Sequence, residues 1–320
     1  MIVLCKRNHM ETNIPYKLKH WIHVENIDKE GWELLSSNPY AIELLKANPD
    51  KICWDSLSYN VNAIDLLQSN LSKINWDNLS TNQNALHILE KYPEKINWKS
   101  FSFNPSPRAI DLLSQNPHKI NWVHLSSNSG ASSLFEKHKE KLNWHCLSAN
   151  PGAIRILESN KEYINWFELS TNPNAFELMK AHENKIDWFY ICSNPNPKCI
   201  KLLEAHLEEE FIDWPTLCEN PSATHILMRY PQHIHWDMLS INPNAIEYIE
   251  ENKHRISWDW IYTNPSIFEI DYEKLKSRKQ HLTEEIMMKC FHPKRLVYYL
   301  KAYHYCIGND EYVDGTFDML

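Results

Sequence analysis

The chain of 320 residues has a formal charge of −8, 43% hydrophobic residues, thirteen Trp and only five Gly. Nucleic-acid affinity comes mostly from clustered Lys and Arg that neutralise phosphates, and with no basic block a nucleic-acid partner is not expected. So few Gly leave no room for flexible linkers or a Gly-rich phosphate loop, and Met1-Ile2-Val3-Leu4-Cys5, stopped by Lys6-Arg7-Asn8-His9, is too short for a secretory signal or a membrane span.

Residues 1–27 contain Trp21 and Val24 but no complete repeat, and are expected to form an N-terminal cap. From residue 28 to residue 270 the chain is periodic. Trp32, Trp54, Trp76, Trp98, Trp122, Trp144, Trp166, Trp188, Trp214, Trp236 and Trp258 are separated by 22 residues in eight of ten gaps, and by 24 and 26 in the others. The unit reads WxxLSxNPxAIxLLxxNPxKIx. A period this short means that each unit packs mainly on its neighbours.

Each Trp follows Asn or Asp in most units, as in Asn75, Asn97, Asn121, Asn143, Asn165, Asp187 and Asp213. An acid often comes next, as in Glu33, Asp55, Asp77, Asp237 and Asp259. An N-capping side chain and a negative charge in the first turn both favour a helix start, so a first helix of about two turns is expected to open at each Trp. Six residues on stands Asn in all eleven units, including Asn60, Asn82, Asn104, Asn150, Asn172 and Asn242, followed by Pro in eight. Asn-Pro is a helix-start signal, so these Asn are expected to cap a second helix of about nine residues carrying the AIxLL face. That helix should stop at the next Asn-Pro, as at Asn48-Pro49 and Asn116-Pro117.

The lengthened joints Asn104-Pro105-Ser106-Pro107-Arg108, Asn194-Pro195-Asn196-Pro197-Lys198 and Glu208-Glu209-Glu210 place their extra residues in turns, where the core register survives. Residues 271–320 leave the pattern. They are expected to form a C-terminal helical cap, with Thr283 as an N-cap, a further helix over His292–Leu300 and an acidic tail over Gly308–Leu320. Helices this short do not hold alone in water and must be stabilised by stacking. The expected fold is therefore all-α, an α-solenoid of about eleven 22-residue short helix-turn-helix repeats with terminal caps. At helix spacings of about 8–10 Å it would be a curved rod on the order of 100 Å long.

The regular Trp, among them Trp54, Trp76, Trp98, Trp144, Trp166 and Trp236, are read as repeat core rather than as base- or sugar-stacking groups, since Ile and Leu recur just as regularly beside them. Invariance likewise assigns the Asn ladder to capping and inter-unit hydrogen bonding, because a recognition surface varies from unit to unit. Variation concentrates at two and five residues past each Trp. There Tyr59, Phe103, His124, Tyr190, Met238 and Trp260 are candidate anchors for a protein partner, with lateral core as the competing account. His233 and His235, or His292 near Cys290, lack four ligands at zinc-like spacing, so no metal is expected. Neither is a cofactor. Eight Cys without a CxxC pair point to a reducing compartment. Glu43 and Asp65 read as a solvated stripe, no catalytic signature is present, and an enzyme is not expected.

The unit, as in Trp54-Asp55-Ser56-Leu57-Ser58 with Asn62-Ala63-Ile64-Asp65-Leu66-Leu67, resembles tandem repeats in uncharacterised proteins of giant nucleocytoplasmic DNA viruses such as the mimivirus group. Phe291-His292-Pro293-Lys294-Arg295-Leu296 followed by Tyr299-Leu300 is similar to the tail of such proteins. The resemblance covers roughly residues 28–300. It implies a viral origin and a setting in host cytoplasm or virion, and lends no activity. The expected function is a non-catalytic scaffold binding a host or viral protein. The alternatives are a structural virion component and a substrate adaptor for host ubiquitin machinery, the latter weakened by the lack of an F-box pattern in residues 1–27 and 271–320.

Overall fold

The computed structural model describes residues 14–207 and 211–290, and the chain divides into a unit Tyr16–Glu269 and a unit made of Met1–Pro15 with Ile270–Leu320. The joint at Glu208-Glu209-Glu210, the helix expected from His292 and the tail from Gly308 lie outside the described residues. Tyr16–Glu269 holds the whole repeat array, which is an all-α solenoid.

Most repeats have three short elements. The first helix opens at Trp, as in Trp54–Tyr59, Trp76–Thr81 and Trp166–Thr171, while after Trp188 its place is taken by the 3₁₀ segment Tyr190–Ser193. Asn75, Asn97, Asn121, Asn143 and Asn165 cap these helices, their side-chain oxygens accepting backbone N–H groups of the first turn. The second helix is shorter than expected and starts later, as in Ile42–Ala47, Ile64–Gln68 and Leu86–Lys91. A residue such as Ala41, Ala63 or Ala85, which offers no side-chain acceptor, precedes it. The recurrent Asn does not cap this α-helix itself, although Asn150 and Asn242 cap the 3₁₀ turns Pro151–Ala153 and Pro243–Ala245 that run straight into it. It ends the first one and closes a turn, Asn60 Oδ1 accepting from Asn62 N–H at 3.0 Å and Asn82 Oδ1 from Asn84 N–H at 3.0 Å. Where Pro follows, it sits in the turn three residues ahead of the helix, as Pro39 stands before Ile42. The two extended joints differ. There Ser106 and Asn196 each cap a helix with Pro at its first position, giving Pro107–Gln115 and Pro197–Leu203.

The third element is a 3₁₀ turn at the PxK segment, as in Pro49–Lys51, Pro93–Lys95 and Pro117–Lys119. Where Pro is present it ends the second helix and starts this turn, but Leu71–Lys73, Lys139–Lys141 and Glu183–Lys185 form the same turn without it, each returning the chain toward the next Trp. Leu57, Leu79, Leu125, Leu147 and Leu169 on the first helices are fully buried, as are Ala63, Ala85, Ala131, Ala153 and Ala175 at the inter-helix turns. Together with Leu67, Leu89, Leu113 and Leu157 of the second helices they form one continuous core.

Two ladders of polar side chains bind unit to unit. Asn60 Nδ2 donates to the carbonyls of Ser36 and Asn38 at 3.0 and 2.9 Å, and Asn82 Nδ2 to those of Ser58 and Asn60 at 3.2 and 3.0 Å. The same pair of bonds recurs at Asn104, Asn128, Asn172, Asn194, Asn220, Asn242 and Asn264. Buried carboxamides thus satisfy the carbonyls that each first helix leaves open at its C-terminus. In the second ladder Ser58 Oγ donates to Trp54 O at 2.7 Å and accepts from Asn75 N–H at 3.1 Å, and Ser36, Ser80, Ser102, Ser126, Ser148, Ser170 and Ser240 repeat the arrangement.

The ladder does not end at the last unit. Asn38 of the first unit donates to Tyr262 O at 3.2 Å and Asn264 O at 3.4 Å, the carbonyls equivalent to those used everywhere else. The last first-type helix, Trp258–Ile261, packs on Lys29–Ser37. The array is therefore a closed ring of eleven units, not a curved rod with two exposed ends. The expected terminal caps have no free end of the stack to cover. Tyr16–Leu18 instead pairs with Phe268–Ile270, Lys19 N–H donates to Ile267 O at 2.8 Å, and Trp21 meets Trp258 edge to face at 6.5 Å.

The seam uses its own residues. Where other units carry Ser or Cys four residues after Trp, the last carries buried Tyr262; where other units carry Asn, Asp or another side chain before Trp, the first carries Gly31. A Cβ on Gly31 would stand 2.7 Å from the Tyr262 ring and 2.9 Å from Ile27. The Gly31 N–H, without a neighbouring hydroxyl to meet, donates to Asp28 Oδ1 at 2.7 Å, which starts this helix early at Lys29.

First helices of successive units stack directly on one another, whereas second helices pack mainly within their own unit. On a closed ring the layer with the closer neighbours lies nearer the axis, so the first helices form the inner layer.

In the other unit, Tyr272–Cys290 is one continuous helix. It starts at Asp271, whose carboxylate accepts from Lys274 N–H at 3.1 Å. Thr283 is not an N-cap. It lies inside that helix and donates to Lys279 O at 2.8 Å.

Candidate interaction surface

The first helices turn Trp and the residues three and four positions later toward the core. The residues one, two and five positions later lie on the opposite face. Tyr59, Phe103, Tyr190 and Trp260 are exposed on it. His124 is half-buried, stacked on Phe103 at 4.0 Å, with Nδ1 2.8 Å from Lys99 O. Met238 is half-buried and packs against the core, so its side chain belongs to the lateral core rather than to an open surface.

The position directly after Trp carries more of the exposed apolar surface than either column singled out from sequence. Phe167 is 57% exposed and Phe189 51%, and Val123 is also open. Phe167 and Tyr190, on adjacent units, lie 6.0 Å apart, and Phe189 and Tyr190 5.8 Å apart, so three rings form one patch. The sequence did carry a signal, since an acid at this position in five units gives way to apolar side chains in the middle of the array. Read only as a helix-dipole preference, that column hides the change.

The Trp rings are not fully enclosed. Trp54, Trp76, Trp98, Trp122, Trp144, Trp166, Trp188, Trp214 and Trp236 are half-buried against the core, Trp32 is buried, and Trp258 is 44% exposed. In seven of these units the outer face is covered by the residue three before the next Trp, whereas His206 stacks on Trp188 at 3.8 Å. Lys73 Nζ lies 4.6 Å from the Trp54 ring, Lys119 4.3 Å from Trp98, Lys141 5.2 Å from Trp122 and Lys185 4.6 Å from Trp166, with Arg255 4.5 Å from Trp236. Tyr163 and His233 stack instead, on Trp144 at 4.8 Å and on Trp214 at 4.1 Å. Lys73, Lys119, Lys141 and Lys185 are thus cation–π lids on the indoles. The Ser ladder binds Trp carbonyls rather than indole N–H groups, and Trp21 Nε1 and Trp236 Nε1 are buried without a partner.

The remaining candidate chemistry is dispersed. His233 is the stacking ring just described, and His235 is exposed, its backbone N–H meeting Cys218 Sγ at 3.3 Å. Glu43 pairs with Lys46 at 3.1 Å on the surface, and Asp65 is exposed. Among the described residues no three His, Cys, Asp or Glu gather into a metal-holding group, and no helix is long and apolar enough to cross a membrane. Cys192 and Cys218 replace Ser in the second ladder, Cys192 Sγ donating to Trp188 O at 3.3 Å. Burial pushes the Cys192 thiol up to about 11 and the Cys199 thiol up to about 12, and raises Cys218 as well. These are protonated core thiols, far from nucleophile behaviour.

Compared with family models, curated proteins and solved structures, the chain matches none.

Proposed function

We propose that this protein is a non-catalytic ring scaffold that binds another protein through its exposed side chains, those of the first helices foremost. The supporting observation is the patch of Phe167, Phe189 and Tyr190. Large rings left open to water on an otherwise regular surface are the anchors that protein interfaces use. The invariant polar groups support the same division of labour, since both ladders are consumed in holding units together and leave recognition to the variable positions. The giant-virus resemblance makes a host or viral protein the expected partner.

The test is site-specific photocrosslinking with benzoylphenylalanine placed at Phe167, Tyr59 and, on a second helix, Met228. A stoichiometric crosslink to one protein from any of these positions supports the scaffold. No crosslinked protein from any position, in host and infected cells alike, overturns it.

A further inference from the structure

Closure of the ring brings together two stretches of sequence that an open array would hold at opposite ends. The residue after each Trp, followed around the ring, is Asp237, Asp259, Glu33, Asp55 and Asp77 in five successive units. It continues as Lys99, Val123, His145, Phe167, Phe189 and Pro215. All five acids are exposed. The acidic run is centred on Glu33 in the first unit, and the apolar run on Phe167 in the seventh, which lies across an eleven-membered circle from it. The seam that joins Asp259 to Glu33 is the rung made by Asn38 on Tyr262 and Asn264.

Each arc is built to stay exposed. Asp55 and Asp77 accept hydrogen bonds from the side chains of Asn75 and Asn97 at 3.0 and 2.8 Å, which holds both carboxylates on this face. On the apolar arc, the positions five past Trp are small, namely Ser127, Ala149, Thr171 and Ser193, so the rings of Phe167, Phe189 and Tyr190 stand clear of them. His145, the one titratable group between Val123 and Phe167 in this column, lies 3.3 Å from Glu168 and 3.1 Å from Asn165 Nδ2.

We propose that the inner layer takes a cationic amphipathic helix from a partner protein. Its apolar stripe would lie on Val123, Phe167, Phe189 and Tyr190 and its Lys and Arg would face the arc Asp237, Asp259, Glu33, Asp55 and Asp77. An amphipathic helix presents apolar groups along one side and charges along the other over its whole length, and so can meet both arcs at once. The acidic arc selects the sign of that charge and repels both nucleic acid and anionic lipid. This inference rests on the scaffold reading above and names the partner's chemistry.

The experiment titrates the full-length protein with a fluorescein-labelled 18-residue helical peptide of Leu at core spacing and Lys elsewhere, read by anisotropy. Saturable binding is expected, weakening at least tenfold in the triple variant Phe167→Ser, Phe189→Ser, Tyr190→Ser. A similar loss is expected in the variant carrying Asp237→Asn, Asp259→Asn, Glu33→Gln, Asp55→Asn and Asp77→Asn, whose residual binding should no longer depend on salt. The single variant Phe167→Ser, at an exposed site, guards against a folding defect in the multiple ones and should weaken binding at least threefold. Equal binding of a Glu-for-Lys peptide, or unchanged affinity in either multiple variant, overturns the proposal. A partner that crosslinks through Met228 but not through Phe167 would leave the scaffold standing while removing this site.

Discussion

At the scale of single residues, the molecule rests on side chains that each do two jobs. Asn172 accepts from Asn174 N–H at 3.0 Å and donates to Ser148 O and Asn150 O at 2.9 and 2.8 Å, all without solvent. Replacing it with Ala strands buried backbone groups, each costing about 1–3 kcal/mol, so Asn172→Ala is expected to lose at least about 3 kcal/mol in urea unfolding. Lys185 over Trp166 is a partly exposed contact, and Lys185→Ala should cost only about 0.5–1 kcal/mol. A larger loss for Lys185→Ala than for Asn172→Ala would reverse the ranking of ladder and lid. The buried thiols give a pH dependence. Cys192 and Cys199 keep their protons to about 11 and about 12 when folded, against an ordinary value of 9.0. Above pH 9 the unfolded chain therefore binds fewer protons than the folded one, and stability falls as pH rises from there through the folded values. Cys192→Ser, which restores the ladder's usual residue, should shrink that alkaline slope and leave neutral stability nearly unchanged.

At the scale of elements, sequence patterns revealed the existence of both helices but misplaced the second. Asn-Pro has the chemistry of a helix start, and Asn196-Pro197 opens one, as does the similar pair Ser106-Pro107. The recurrent carboxamide is drawn into the inter-unit ladder, and in units without the two extra residues to supply a second cap the chain needs a full turn before Ile42 or Ile64 can begin a helix. Tertiary hydrogen bonding outweighs the local signal. The 3₁₀ turn was hidden because Pro49, Pro93 and Pro117, which stop one helix, also start it, and because Leu71, Lys139 and Glu183 start it with no Pro to mark the place. Of the candidate surface, Tyr59, Phe103, Tyr190 and Trp260 were visible as variable aromatic positions. Phe167 and Phe189 were masked because neighbouring units use the same column for helix-capping acids. Gly31 and Tyr262 give an element-scale test of the seam. Gly31→Ala drives a methyl into the Tyr262 ring and should cost about 1–3 kcal/mol, as overpacked cores do. Combining it with Tyr262→Ser should recover part of that loss, giving a coupling energy of about 1 kcal/mol or more in a double-mutant cycle. Strict additivity would show that the two helices do not press together there.

At the scale of the whole molecule, the eleven units were countable from their Trp, but closure was not. Open and closed arrays share one repeat, and differ only in the turn per unit, about 33° for eleven steps around a circle. The clue lay in the two anomalous residues at the ends of the array, which make sense only as partners. An open solenoid gains stability unit by unit and frays from its ends, whereas a ring has none. Deleting residues 54–75, one full period, would leave ten units obliged to turn about 36° each. The deletion is expected to lower the melting temperature far more than the loss of one increment from an open array, and to broaden the transition. A deletion variant that melts like the full chain would mean that the seam contributes little.

The rung at Asn38 has a further consequence, for the order in which the chain acquires its structure. Elsewhere each ladder carboxamide reaches a carbonyl 22 to 28 residues back, whereas Asn38 reaches across 224 and 226. Ten rungs can be laid down one after another as the polypeptide leaves the ribosome, with low contact order and little loop entropy to overcome. The eleventh waits for Asn264 to be made, and until then Asn38 and the Gly31 side of its helix face water with nothing to join. Refolding should accordingly show a fast helical phase followed by a slower step in which Tyr262 fluorescence and Trp258 quenching report the meeting of the two ends.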